Sequence, residues 1–289
     1  MKKINGYHVF TFFNHLLMVG IVLVTLYPIW HVVMASFSQP EKVYVYNGLL
    51  FWPLGEFTLD AYELVFKHRL VLSGYANTLF IVVVGVIVNM IFTILGAYFM
   101  SIKGPKFSNL FGYMIVIAMY FNGGLVPVYL NIKDLGLLDS RWSLIIPVAI
   151  ATSNMIIMKS AFVAVPNSLI ESALLDGANF GQVLLKIMLP LCKATIAVLV
   201  LYYGVSHWNS WFQASIYLRD ANKYPVQLVM RDILHSLPYS GVGDADASAY
   251  MAQQMQYALI VVVSMPVMMI YPFIQKYFVK GVMIGAVKG

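Results

Sequence analysis

The sequence predicts an all-α integral membrane protein, and three observations carry the prediction. Hydrophobic residues fill 61% of the 289 positions and charged residues only 10%, against about 25% charged in a soluble domain. The apolar residues gather into six runs, each near the roughly 20 residues that a helix needs to cross a bilayer. None of these runs contains Asp or Glu. A soluble chain of this composition would expose apolar patches large enough to aggregate. In hydrocarbon, by contrast, every backbone amide must be paired internally, so each run is expected to be a helix.

The runs are Phe12–Ser36, Ser73–Met100, Asn109–Asn131, Ser143–Ala164, Ala194–Ala214 and Gln256–Gln275. The whole chain, 1–289, reads as one transmembrane domain. The first run follows Lys2 and Lys3, as a signal peptide would. Its apolar stretch is too long for one, and no clear small-residue cleavage site follows, so it is expected to be retained. Six spans place both termini on one side. With the ends inside, inner segments carry ten basic and two acidic residues, a net +8, and outer segments eight basic and ten acidic, a net −2. Basic residues favour the cytoplasmic side, so both termini are expected there. The inner connections are then Ser101–Ser108 and the longer Val165–Lys193. The outer ones are Phe37–Leu72, Ile132–Trp142 and Ser215–Met255.

Several function classes lose support at once. The net charge of +6 comes from basic residues scattered singly between apolar runs, a pattern of membrane topology rather than nucleic-acid binding. A single cysteine, Cys192, excludes an intrachain disulfide. No segment fits G-x-x-x-x-G-K-[ST], C-x-x-C, H-E-x-x-H or G-x-S-x-G, so no catalytic set, metal site or nucleotide loop is expected. Lys159 and Lys276 lie near inner span ends, where they can snorkel. His15, His31 and His207 are isolated and read as interfacial or hydrogen-bonded. Without intramembrane carboxylates, proton or sodium coupling has little support, although the carbonyls of a broken helix can bind sodium. An ATP-independent secondary transporter or channel remains the alternative.

The long inner connection has legible local chemistry. Ser168 with Glu171 fits a capping box that would open a helix near Leu169, with Glu171 in its first turn. Gly177 suits the left-handed residue that ends a helix. Asn179 with Gln182 resembles a second helix start, running toward Pro190. Leu169, Ile170, Ala173, Leu174, Leu175 and Ala178 give this hairpin, 168–186, an apolar face. Such a face either lies along the membrane interface or inserts into a groove on a partner.

The same segment resembles the coupling motif of ABC importer permeases: E-A-A, three residues, G, nine residues, I, one residue, L-P. Here Glu171-Ser172-Ala173, Gly177, Ile187, Leu189 and Pro190 stand at those spacings, and Asp176 and Ala178 match a D-G-A variant. Ser172 in place of alanine is the one departure in the opening triplet. The ending Lys280-Gly-Val-Met-Ile-Gly-Ala-Val-Lys-Gly289 is similar to the tail of carbohydrate permeases related to the smaller maltose-transporter permease. Tyr120-Phe-Asn-Gly-Gly-Leu-Val-Pro-Val-Tyr-Leu130 and Leu135-Gly-Leu-Leu138 resemble a branch that includes proteins for pectin- and alginate-derived oligosaccharides. The short segment before the first span is similar to the smaller permease of such a pair.

The resemblance implies a six-helix type I importer fold in a bacterial cytoplasmic membrane. It implies a second, different permease, two ATPase subunits that hold ATP and magnesium, and an extracytoplasmic sugar-binding protein. This chain would bind no cofactor. Glu171, Ser172, Ala173, Leu174, Asp176, Gly177 and Ala178 would couple to an ATPase. For the sugar path, aromatic faces and amides suggest Tyr120 and Asn122 in the third run, with Gly123-Gly124 opening the helix. In the fifth run they suggest Trp208, Asn209 and Trp211, with Gln213 beyond. Aromatic residues near span ends also serve as interfacial belts. The outer loop 215–255 is long enough to be functional and by analogy would reach toward the binding protein.

Overall fold

The computed structural model describes residues 6–102, 107–121, 123–236 and 247–286. They form fourteen α-helices and, among the described residues, no strand. In chain order these are α1 (Gly6–Ser36), α2 (Pro40–Val45), α3 (Asp60–Lys67), α4 (Arg69–Ser101), α5 (Ser108–Tyr120), α6 (Leu125–Asp134) and α7 (Thr152–Val163). There follow α8 (Asn167–Leu175), α9 (Phe180–Val183), α10 (Leu189–Leu191), α11 (Lys193–Trp208), α12 (Trp211–Tyr217), α13 (Val226–Ser236) and α14 (Ala247–Ala286).

Three stretches are long and apolar enough to cross a membrane unaided: Phe10–Ser36, Arg69–Ser101 and Ala249–Ile270. The other three runs are interrupted. Counting each bent pair as one span raises the number to as many as six. The third run stops at Tyr120 and resumes at Leu125, after Gly124 at φ 87; that left-handed value is open to glycine. In the fourth run, Arg141–Val148 and Thr152–Val163 meet at 49°. Pro147 lies in its first half, and proline has no amide to continue a helical ladder. Phe180–Leu191 and Lys193–Trp208 meet at 83°, just after Pro190.

The fifth run also ends early: α11 stops at Trp208, not Ala214. Ser210 explains the stop. Its hydroxyl donates to the carbonyl of His207 at 2.8 Å, and such local side-chain bonds compete with the helical ladder. Windowed hydropathy does not register these breaks because the residues on either side stay apolar.

The chain divides into two compact units. The first holds the described residues of Met1–Arg69 and Met230–Met265. Its core gathers Ala35, Val43 and Leu50, with Met34, Leu54 and Tyr257 against them. Gln254 on α14 donates its amide to the carbonyls of Ser36 and Ser38, the residues at and just past the end of α1. The free carbonyls that end a helix are thereby satisfied. The α1 span itself is 0% buried.

The second unit holds the described residues of Leu70–Val229 and Pro266–Gly289. Among its described residues, one core lies toward each end of α4. Ile81 of α4 joins Ile132, Leu144, Ile145, Tyr217 and Leu228 in one. Tyr98 and Met100 join Met155, Met158, Phe162, Val183 and Met188 in the other. Between them α11 crosses α4 closely: a Cβ on Gly85 would overlap the ring of His207.

Candidate functional site

The hairpin begins where Pro166 turns the chain. α8 starts at Asn167 with Pro166 as its N-cap and no side-chain cap. Ser168 therefore lies inside the first turn, and the expected Ser168–Glu171 capping box does not form. Proline's fixed φ, here −58, pre-sets helix entry before the serine is reached, and Glu171 falls beyond the first turn. The end of α8 follows expectation. Gly177 adopts φ 86. Its amide donates to Leu174 O at 3.1 Å, and that of Ala178 to Ala173 O at 2.9 Å, the paired bonds of a Schellman turn. The second helix is capped as expected. Asn179 Oδ1 accepts from the Gln182 amide and Gln182 Oε1 accepts from the Asn179 amide, both at 2.9 Å.

Two contacts fasten this hairpin to the rest of the second unit. Ile170, Ala173 and Ala178 pack against the core that contains Val183, Leu184 and Met188. The Tyr98 hydroxyl on α4 donates to Phe180 O at 2.7 Å. Beyond the hairpin on either side, Cys192 Sγ donates to Ala161 O at 3.6 Å. The single apolar face read from the sequence is thus divided. Ile170, Ala173 and Ala178 turn inward, whereas Leu169, Leu174, Leu175 and Phe180 are 46%, 38%, 88% and 55% exposed. Glu171, Ser172, Asp176 and Gly177 are exposed beside them. Covering one leucine is worth about 1.5–3 kcal/mol, so this ridge has a strong tendency to be covered.

A second constellation occupies the middle of the unit, where the fourth run breaks. Asn89 on α4 donates to Val148 O at 2.6 Å and accepts from His207 Nε2 at 2.6 Å. The geometry assigns the proton to His207 Nε2, because the Asn89 amide nitrogen is already donating. One helical turn on, Thr93 and Tyr203 bond through their hydroxyls at 2.6 Å, and Tyr203 accepts the Ala151 amide at 3.3 Å. Backbone groups released by a break in hydrocarbon cost several kcal/mol each if unpaired. Here α4 and α11 supply the missing partners. Of these residues the sequence marks only His207, as an interfacial or hydrogen-bonded histidine; the hydrogen bond is what the structure shows. The signal for Asn89 is an amide deep within an apolar run, between Val86-Ile87-Val88 and Met90-Ile91-Phe92.

The opposite end of α4 carries a latch. Asp139, at φ 55, accepts the amides of Arg219 and Asp220 at 3.0 Å each. It also accepts from Lys223 Nζ at 2.6 Å. Asn77 donates to the carbonyls of Asn222 at 2.7 Å and Tyr224 at 3.1 Å, and Thr78 Oγ1 accepts the Val226 amide at 2.8 Å. The start of the 215–255 connection is therefore held against the helix ends. The bond from Lys223, then those from the Asp220 and Arg219 amides, hold the Asp139 carboxyl well below the usual carboxylate range. A depressed folded value means that the stabilisation is present above the unfolded value of about 3.9 and is lost only as pH falls through the folded one. Amide exchange should therefore stay slow at Arg219 and Asp220 down through pH of about 4. Asp139→Ala should raise exchange there about tenfold at neutral pH.

The residues proposed from the sequence for a sugar path fall in different settings. Trp208 is 6% exposed and packs edge-on to Tyr75 with ring centroids 6.2 Å apart. Its indole N–H has no acceptor among the described residues. Asn209, Trp211 and Gln213 are exposed around the break between α11 and α12. Tyr120, 75% exposed, ends α5. Asn122 lies outside the described residues, as do the loop segment 237–246 and Lys2, Lys3, Lys103, Lys106 and Lys288.

The architecture defines a class: an α-helical membrane protein whose broken spans are braced by polar side chains and which displays a capped helical hairpin. Comparison with known proteins narrows the class. The chain is 38% identical over 292 residues to protein LplC of Bacillus subtilis (strain 168), covering 100% of this chain and 98% of that one. It is 39% identical over 282 residues to the polygalacturonan/rhamnogalacturonan transport system permease protein YtcP of the same organism, covering 96% of each. The crystal structure of a bacterial ABC transporter involved in the import of the acidic polysaccharide alginate superposes with a TM-score of 0.86 at 33% identity, over 95% of this chain and 98% of that one. No family model matches. The chain belongs to the carbohydrate permeases of ABC importers. It is a transport subunit rather than an enzyme, and the ATP-independent alternative is set aside.

Proposed function

We propose that this chain is a six-span permease, 1–289, with both termini in the cytoplasm, which imports acidic oligosaccharides through a heteromeric complex. The exposed ridge of the hairpin is the observation that carries the mechanism. Leu169, Leu174, Leu175 and Phe180 offer apolar knobs, flanked by Glu171, Ser172 and Asp176, while Ile170, Ala173 and Ala178 tie the hairpin to the transmembrane core. Such an amphipathic element fits a groove on a cytoplasmic partner. The net charge of +8 on the inner segments supports its placement on that side.

The partner is an ATPase pair that holds ATP and magnesium. Closure of that pair favours one of two arrangements of the spans, and the hairpin transmits the bias. Glu171, Ser172, Leu174, Asp176 and Gly177 form the contact, with Ala173 and Ala178 packed beneath them. A second, different permease completes the passage, and an extracytoplasmic binding protein delivers sugar. Tyr120, Asn122, Trp208, Asn209, Trp211 and Gln213 contribute to the path. An acidic cargo is supported by the polygalacturonan/rhamnogalacturonan permease and the alginate importer that the chain is similar to. The membrane is the bacterial plasma membrane.

The test is ATP hydrolysis by the purified complex in vesicles with its binding protein. Oligogalacturonate- or alginate-loaded binding protein should stimulate hydrolysis several-fold. Stimulation by malto-oligosaccharide alone would remove the acidic cargo. Failure of any ATPase to co-purify would remove the mechanism.

A further inference from the structure

Arg141 is a cation that forms no ion pair among the described residues. It opens the fourth span, one of the broken ones, at the start of a 3₁₀ turn, Arg141–Leu144. One guanidinium nitrogen donates to Asn77 Oδ1 at 3.2 Å. The guanidinium carbon sits 4.7 Å from the centre of the Phe80 ring, a cation–π contact. No carboxylate lies within 4.0 Å of it among the described residues. Lys223 differs, since Asp139 neutralises it at 2.6 Å. Asn77 and Phe80 therefore orient Arg141 and leave it without an ion-pair partner within 4.0 Å among the described residues. Arg141 lines a cavity of about 260 Å³ together with Phe80, Asp139, Ser140, Trp142 and Lys223. The Ser140 hydroxyl accepts the Trp142 amide at 3.4 Å, so its own proton can be donated into the same space.

The surroundings of this cavity are those of a bilayer edge. Trp142 is 42% exposed and meets Phe80 edge-on, with ring centroids 6.2 Å apart; exposed tryptophans at span ends sit at headgroup level. Along the same broken span, Ile146, Val148 and Ile150 are exposed. On α4, Val83 and Ile87 stand one and two turns below Phe80 and are also exposed. Those two residues line a second cavity of about 380 Å³, whose walls include Val200, Leu201, Val267 and Ile270. A cationic pocket thus tops an apolar face that leads into an apolar cleft.

We propose that this is a phospholipid site: Arg141 binds the phosphodiester of an anionic lipid, with Ser140 as a second donor, and an acyl chain follows Val83 and Ile87 into the cleft. One guanidinium with no ion pair among the described residues matches the single negative charge of phosphatidylglycerol. A guanidinium also pairs with two phosphate oxygens at once. A choline headgroup would bring a second cation to the same pocket and gain less. A soluble sugar carboxylate would satisfy Arg141 but leave the adjoining apolar face uncovered.

The assembled transporter provides the test. It would be placed in lipid nanodiscs of phosphatidylcholine and phosphatidylglycerol, then stripped with detergent while mass spectrometry counts the lipid retained. The wild type should keep phosphatidylglycerol after phosphatidylcholine has gone. Arg141→Gln should reduce the retained phosphatidylglycerol about tenfold, the scale of one charge-assisted pair. Val83→Trp fills the cleft without touching Arg141 and should reduce it comparably, so both ends of the lipid are tested separately. Equal retention by wild type and both variants overturns the site. Equal retention of the two lipids overturns its charge preference. Displacement of the lipid by inorganic phosphate alone would assign the pocket to a soluble anion instead. If Arg141→Gln leaves lipid unchanged but raises the acidic-sugar concentration needed to stimulate hydrolysis, the pocket belongs to the cargo and the lipid assignment is wrong.

Discussion

Gly177→Asp should abolish most sugar uptake, by at least about tenfold, while the permease remains folded in the membrane. The contrast follows from local geometry. Gly177 holds φ 86, a region that Asp tolerates better than most residues, at a cost of roughly 1–2 kcal/mol. A Cβ at this position would meet nothing within 4 Å, so the substitution makes no clash inside the chain. The new carboxylate instead projects from the exposed turn toward whatever the hairpin docks against. It would carry an unpaired charge into that contact, which costs far more than the turn strain. Glu171→Lys should act in the same direction by reversing a charge on the same surface. The measurements are uptake in vesicles and stimulation of hydrolysis by the loaded binding protein, with melting temperature as the control. Normal uptake in both variants would show that this hairpin does not couple.

Asn89→Leu should have the largest effect on stability, about 2–4 kcal/mol. The substitution leaves Val148 O without its donor and His207 Nε2, which is buried, without its acceptor, at the break in the fourth span. For a chain of this size the melting temperature should fall by roughly 5–10 °C. Thr93→Val removes one hydroxyl partner of Tyr203 but leaves the Ala151 amide paired, so its effect should be the smaller. If the two variants melt together, close to wild type, the polar ladder does not brace the broken span.

The readings that succeeded from sequence were short-range. The turn at Gly177 and the Asn179–Gln182 capping box are set within a few residues, by glycine's access to positive φ and by side chains reaching one helical turn. The start of α8 was misplaced by one signal: Pro166 acts before Ser168 can cap. The apolar face of the hairpin is legible but its division is not, because Ile170, Ala173 and Ala178 pack inward against a core that includes Tyr98, Met155 and Tyr203 from distant segments. The polar braces were illegible for the same reason. Asn89 meets Val148 across 59 positions and His207 across 118, and Asp139 meets Lys223 across 84. A hydropathy window sums neighbours and contains none of these pairs.

By itself the sequence determined the solvent of this protein, its helical class and its family motif. Apolar excess admits no stable alternative to membrane helices, and the spacing from Glu171 to Pro190 is a property of the chain alone. Only the tertiary structure decided which spans are broken, how their released backbone groups are paired, and which side of the hairpin remains exposed. Those outcomes depend on side chains that meet only after the helices pack.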